Sequence, residues 1–273
     1  LLSESGMKDH PLTPMNDANL VRVLQAQTRH RVGLIDYKVI AQGEDAIRAR
    51  IAVLKAEGVG IAIVDALSNE DLHRLGKALA GMPLVTAGSG VAIGLPANFG
   101  IQPNPAASSL PPAQGLQAVI SGSCSRATNG QVADFIARGQ PAFVLDPLKL
   151  LNDPGQIDLA LTWAAQRLEG GPVLIYSTAE PEALKAVQEQ IGVQRAGELI
   201  EQALAKIAKG LIELGVGQLV VAGGETSGAV VQALGMEQLQ IGEQIDPGVP
   251  WCAGRGIHIT LKSGNFGTPD FFT

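Results

Sequence analysis

The chain has 273 residues, 46% hydrophobic and 17% charged, enough for two ordinary cores, and no apolar run approaches the roughly 18 residues of a membrane helix. A net charge of −6 without a basic patch argues against nucleic acid as a partner. The first residues lack a signal peptide's basic and apolar regions. Cys124 and Cys252 form neither a disulfide framework nor a metal site, which suits a reducing cytoplasm.

Residues 3–15 read as a loop broken by Pro11 and Pro14. Asn16 or Asp17 can cap a helix carrying Leu20, Val21, Val23 and Leu24. A strand is expected within residues 31–39, around Val32, Leu34 and Ile35. Residues 44–57 space Ile47, Ile51 and Leu54 on one helical face. Residues 60–65 form an apolar strand ending in Asp65. Ser68 or Asn69 caps a helix over 70–80, and a strand over 83–87 leads into Gly88, Ser89 and Gly90. Strand–helix alternation predicts a mainly parallel sheet with ligands beyond its carboxyl ends. Asp65 and the Gly88–Ser89–Gly90 turn are therefore cleft candidates, with a cap or turn former as the alternative reading of Asp65.

Five prolines between residues 96 and 114 mark a linker, with the boundary near residue 112. A strand over 116–120 then enters Ser121-Gly-Ser-Cys-Ser-Arg-Ala-Thr128 and a helix over 129–138. Gly122, Ser123 and Ser125 either donate to an anion or simply cap that helix. Cys124, with no histidine nearby in sequence, reads as a small buried thiol. Strands over 142–146 and 172–176 alternate with helices over 158–168 and 181–190. A long amphipathic helix covers 198–214. Leu219, Val220 and Val221 form a strand running into Gly223-Gly-Glu-Thr-Ser-Gly228, where Thr226 or Ser227 caps a helix. Such a helix start is either a phosphate cradle or a plain strand-to-helix turn. Residues 257–262 alternate as a strand leading into Ser263-Gly-Asn-Phe-Gly267, and Phe271 and Phe272 can dock on the core. The four histidines are scattered without metal-ligand spacing. The absence of a complete G-x-G-x-x-G disfavours a dinucleotide dehydrogenase.

Three motifs, at 121–128, 223–228 and 261–267 with Asp270-Phe-Phe after it, join an early Glu4-Ser-Gly-Met-Lys-Asp-His-Pro-Leu-Thr-Pro-Met15. In that order they resemble the four-carbon acid sugar kinases, the 3-oxo-tetronate kinase branch above all, across essentially the whole chain. The resemblance implies two α/β domains, each a mainly parallel sheet flanked by helices in three layers. Residues 1–112 would be the C-terminal part of the acid-sugar-binding domain and 113–273 the nucleotide-binding domain. Family members begin with an Asp-Asp-x-Thr-Gly motif that has no counterpart here, so on the order of a hundred residues are expected ahead of Leu1, and these residues alone are expected to be inactive.

The implied activity is ATP-dependent phosphorylation of the terminal hydroxyl of a four-carbon sugar acid, converting a 3-oxo-tetronate to its 4-phosphate. Alternatives are a threonate or erythronate kinase and a non-catalytic nucleotide-binding module. Nucleotide contacts would fall on Ser123 and Ser125, on Gly223, Gly224, Glu225, Thr226 and Ser227, and on Gly264 and Gly267. Glu225 is either a Mg²⁺ ligand, directly or through water, or a helix-start residue facing solvent. Lys262 either meets a phosphate or is solvated, and Arg126 has the same two readings. His10, Asp65, Gly88, Ser89 and Gly90 are the substrate-side candidates. Asp9, His10 and Asp65 are candidate bases beside any residue in the preceding segment. The expected partners are ATP and a sugar acid, without membrane or nucleic acid, in a possible homodimer.

Overall fold

The structure is a computed structural model describing residues 1–9, 14–177 and 188–273. It divides into two compact units, Leu1–Pro103 and Asn104–Thr273. The division falls inside the proline-rich stretch, ahead of residue 112.

In the first unit β1 (Arg31–Ile35) pairs in parallel with β2 (Val59–Val64). The helices are α1 (Leu20–Gln25), α2 (Tyr37–Ala41), α3 (Glu44–Ala56) and α4 (Asn69–Ala78). Ile47 and Leu54 of α3 are buried with Ile35, Ile40, Leu75 and Ala78, and Ile51 packs against them. The helical spacing of these residues therefore marks the core-facing stripe. Ser68 caps α4 in a reciprocal box: its hydroxyl accepts from the Asp71 amide at 3.2 Å, and Asp71 accepts from the Ser68 amide at 3.1 Å. The Leu67 amide, first among several donors, holds the Asp71 carboxyl below its ordinary range.

Two expectations for this unit fail. Residues 83–87 form no strand: Pro83 lacks an amide, and Leu84 is 75% exposed instead of packed. The opening residues are not all loop, because Leu2–Glu4 and Gly6–Asp9 form short 3₁₀ turns.

The second unit is built on a seven-stranded sheet in the order β4-β5-β3-β6-β9-β8-β7. The strands are β3 (Leu116–Ser121), β4 (Ala142–Val144), β5 (Val173–Tyr176), β6 (Val216–Ala222), β7 (Gln240–Asp246), β8 (Val249–Gly254) and β9 (Ile257–Lys262). The first four and β9 are mutually parallel, and β7 and β8 pair antiparallel at one edge. The helices are α5 (Arg126–Ala137), α6 (Pro147–Asn152), α7 (Gln156–Ala165), α8 (Val193–Glu213) and α9 (Gly224–Ala233).

Alternate residues of the central strands serve opposite faces. Ala118, Ile120, Leu219 and Val221 pack with α7, α8 and α9, whereas Val119 and Ala222 pack with Val132 and Phe135 of α5 and with Phe272. Phe272 thus docks on the core as anticipated. Both faces are covered, giving the three-layer α/β architecture.

The β7–β8 hairpin is absent from the sequence expectations, although Asp246-Pro-Gly248 is a turn signal and Gly248 takes φ 79°. Helix α6 is also additional: Asp146 accepts from the Leu148 amide at 2.9 Å, Pro147 sits in the first turn, and β4 ends early as a result. Helix α5 starts at Arg126, not at residue 129, because Ser125 is its cap. The helix expected over 181–190 falls largely on 178–187, outside the described residues.

Leu204 is fully buried at the centre of the larger core. Leu204→Ala should lower the unfolding free energy of the second unit by about 2–5 kcal/mol, read from urea melts.

Candidate functional site

Strands β3, β6 and β9 are neighbours, and their carboxyl ends are Ser121, Ala222 and Lys262. Each runs into one of the three small-residue turns. The ladder continues one step past the strands. The Gly122 amide donates to the Ala222 carbonyl at 3.0 Å, and the Gly223 amide donates to the Lys262 carbonyl at 2.8 Å. Strand order and this ladder bring together turns that are far apart in sequence. After β3 the chain turns onto the α5 face and leads to β4 near one edge; after β6 it turns onto the opposite, α9 face and leads to β7 at the other edge. This reversal is a topological switch point, where parallel sheets open a crevice at their carboxyl ends.

The turns pack closely enough to require glycine. Gly223 has φ 128°, and a Cβ there would lie 2.8 Å from Thr226 Oγ1 and 3.3 Å from the Ser123 amide nitrogen. A Cβ on Gly122 would collide with Thr226 Oγ1, and one on Gly264 with Ser123 Oγ. Gly223 is itself the N-cap of α9, and no side chain caps that helix. Thr226 and Ser227 are therefore buried residues of its first turn, not its caps. The amides of residues 224–226 belong to the first turn, have no intrahelical partner and lie at the positive end of the helix dipole. Gly224 has open space at its Cβ position. Glu225 is exposed. Burial, then the charges of Glu225 and Glu198, push the Glu201 carboxyl of α8 up.

Helix α5 holds the third turn. Ser125 Oγ accepts from the Thr128 amide at 3.2 Å and donates to the Gly264 carbonyl. Thr128 Oγ1 donates to the same carbonyl at 2.9 Å. Gln131 Nε2 donates to the Phe266 and Thr268 carbonyls at 3.1 and 2.9 Å. Residues 125, 128 and 131 lie three apart, a single stripe of the helix. That spacing is the signal that could have identified Thr128 and Gln131, neither of which sequence reasoning named as a site residue.

Lys262 is fully buried, neither solvated nor presented at the surface. Its Nζ donates to Thr128 Oγ1 at 2.9 Å, to the Gly264 carbonyl at 3.2 Å and to the Ser263 carbonyl at 3.4 Å. The Phe272 ring centroid is 5.9 Å away. Burial pushes this ammonium down to about 8. Arg126 is exposed at the first position of α5, and Cys124 is half-buried instead of buried. A groove of about 460 Å³ between α8 and α9, with Glu198, Glu201, Lys206 and Lys209 in its wall, includes no residue of the three turns.

In the first unit, Asp65 ties the two strand ends together. Its amide donates to the Ile35 carbonyl at 3.1 Å, and its carboxylate accepts from the Tyr37 amide at 3.2 Å. Gly88 precedes a 3₁₀ turn over Ser89–Ile93, and Gly90 faces Leu72 of α4. No hydrogen bond among the described residues links Asp65 to residues 88–90. His10 lies outside the described residues, as does the side chain of Asp9. Among the described residues, no group of three or more His, Cys, Asp and Glu side chains could hold a metal.

The second unit is thus an α/β domain with an uncapped helix start at a topological switch point, the architecture of a nucleotide-binding domain. The family model described as a nucleotide-binding C-terminal domain matches residues 118–272, and that of a sugar-binding N-terminal domain matches residues 1–95. The chain belongs to the four-carbon acid sugar kinase family. It is 56% identical to a 3-oxo-tetronate kinase of Pseudomonas savastanoi pv. phaseolicola, covering 100% of this chain and 64% of that protein. It is likewise 56% identical to a 3-oxo-tetronate kinase of Burkholderia multivorans, covering 100% of this chain and 65% of the relative. The crystal structure of a Haemophilus influenzae protein matches with a TM-score of 0.63 at 41% identity, over 99% of this chain and 66% of that one. The chain therefore spans about two thirds or less of the length of these relatives.

Two measurements check this geometry. Gly223→Ala should lower unfolding free energy by about 1–3 kcal/mol through backbone strain and collision, while Gly224→Ala, in open helix, should be neutral or stabilising in the same urea melts. The second concerns Lys262. The unfolded chain keeps the lysine proton up to its ordinary range, whereas the folded chain releases it from about 8. Between these values unfolding takes up a proton, so stability rises with pH. The stability of the wild type relative to Lys262→Met should climb from pH 8 to pH 10 and stay flat from pH 6 to pH 7.5.

Proposed function

We propose that the whole protein is an ATP-dependent kinase that phosphorylates the terminal hydroxyl of a four-carbon sugar acid, converting a 3-oxo-tetronate to its 4-phosphate. The observation that carries this reading is the uncapped start of α9 at the switch point, where Gly223 leaves the amides of residues 224–226 open to an anion. The names of the relatives supply the acceptor class.

Phosphoryl transfer depends on positioning and on neutralising charge. The α9 amides and the backbone of the turns at 121–128 and 263–267 are suited to cradle the polyphosphate. Ser123, Gly223, Gly224, Glu225, Gly264 and Gly267 form this nucleotide-facing set. Thr226, Ser227 and Ser125 act from behind it: the first two are buried in the helix start, and Ser125 is engaged as a cap and on the Gly264 carbonyl. Mg²⁺ keeps several waters and uses few protein carboxylates, so Glu225, exposed on the second turn, is the residue that would hold it together with nucleotide phosphates. When bound, the ion would neutralise phosphate charge. His10, Asp65 and Gly88–Gly90 remain the substrate-side assignment, and these 273 residues alone bind nucleotide without turning over sugar acid. ATP as donor and a cysteine count of only two support a cytoplasmic location.

The test pairs binding with turnover. Calorimetry should show ADP binding by the chain and its loss by at least tenfold in Gly224→Val, whose side chain enters open space in the protein but crowds a phosphate. The whole protein should release ADP with 3-oxo-tetronates in preference to threonate and erythronate. Normal ADP binding by a folded Gly224→Val variant would sink the assignment of the turn. ADP binding without turnover on any of these acids would leave only a nucleotide-binding module.

A further inference from the structure

Lys262 presents an electrostatic problem that the fold alone does not solve. Its side chain is completely buried. Among the described residues no carboxylate lies within ion-pairing distance of it. A charge taken out of water without a counter-charge is costly. Its ammonium has three donors, and three acceptors surround it: Thr128 Oγ1, the Ser263 carbonyl and the Gly264 carbonyl. Hydrogen bonding is therefore satisfied while charge is not. The charge sits one peptide behind the third glycine turn, and Gly264 also abuts Ser123 of the first turn. A neutral residue would serve a purely structural clamp, because Ser125 and Thr128 already hold the Gly264 carbonyl.

We propose that Lys262 is the buried counter-charge of the polyphosphate site: its ammonium, held behind the Gly264 peptide without a carboxylate partner among the described residues, receives its compensating charge when an anion occupies the turns. It acts through the Gly264 peptide as a positioning residue and does not touch the ligand. The inference rests on the reading of these turns as the nucleotide site. Among the described residues its hydrogen-bond and ring neighbours are Thr128 of α5, the two turn carbonyls and Phe272, none of which titrates between pH 7 and pH 10. In the free protein burial weakens the hold of Lys262 on its proton. An anion beside the turn restores that hold, so binding above pH 8 must draw a proton from solvent.

The experiment is calorimetry of the chain with ADP and, separately, with inorganic pyrophosphate at pH 7.0 and pH 8.5, in buffers of differing ionisation enthalpy. The wild type should take up roughly half a proton or more per ligand at pH 8.5 and close to none from Lys262 at pH 7.0. Lys262→Met should bind about tenfold more weakly at pH 7.0 and show no extra uptake at pH 8.5, with urea melts confirming that it folds. Thr128→Ser, which retains the hydroxyl, should keep the wild-type uptake. Binding without uptake at pH 8.5, or uptake unchanged in folded Lys262→Met, overturns the proposal. Pyrophosphate binding with uptake but no ADP binding would uphold the counter-charge and reject the nucleotide reading. Failure of both ligands to bind would reject both.

Discussion

The second unit depends on one constraint: three adjacent parallel strands whose hydrogen-bond ladder runs on into the turns beyond them. The Gly122–Ala222 and Gly223–Lys262 backbone bonds hold the first residues of two turns at ladder spacing from their neighbours. Across the turns, a side chain on Gly122 would meet Thr226 Oγ1 and one on Gly264 would meet Ser123 Oγ. The glycines therefore follow from the close packing of side chains across the turns, and the uncapped start of α9 follows from Gly223 at its cap position. Because Gly223 occupies the cap position, no side-chain hydroxyl caps the amides of residues 224–226.

Helix α5 adds a second layer of order. Its cap Ser125, with Thr128 and Gln131 one and two turns further along the same stripe, binds carbonyls across residues 264–268. The first turn thus shapes the third through side chains, while the ladder joins the first and second through backbone. Lys262 lies where the two systems meet: its carbonyl accepts from Gly223 and its ammonium reaches Thr128 and Gly264. A buried charge placed there links the electrostatics of the site to the bonds that hold its shape.

The elements that differ from the sequence expectations do so for separate physical reasons. The run at 83–87 has strand composition, but a strand exists only where a neighbour completes its ladder, and Leu84 stands in solvent. The β7–β8 hairpin is not expected from the sequence although its Asp-Pro-Gly turn is local, because β7 is a mostly exposed strand at the sheet edge without a clean apolar alternation. Ser125 starts α5 earlier than apolar periodicity suggests, and Asp146 caps a short helix where none is expected, since a cap acts before the first buried side chain.

By itself the sequence determined the strand–helix alternation, the three-layer class, the family resemblance and the identity of the three turns. These are local properties: apolar period, cap residues and glycine placement are written within a few consecutive positions. Only the tertiary structure decided that Gly223, and not Gly224, takes the left-handed backbone. It alone decided that Thr226 and Ser227 lie inside α9, and that Lys262 is buried against Thr128, 134 residues away. Those outcomes are set by strand order and helix placement, which bring distant residues within hydrogen-bond reach and which no local pattern encodes.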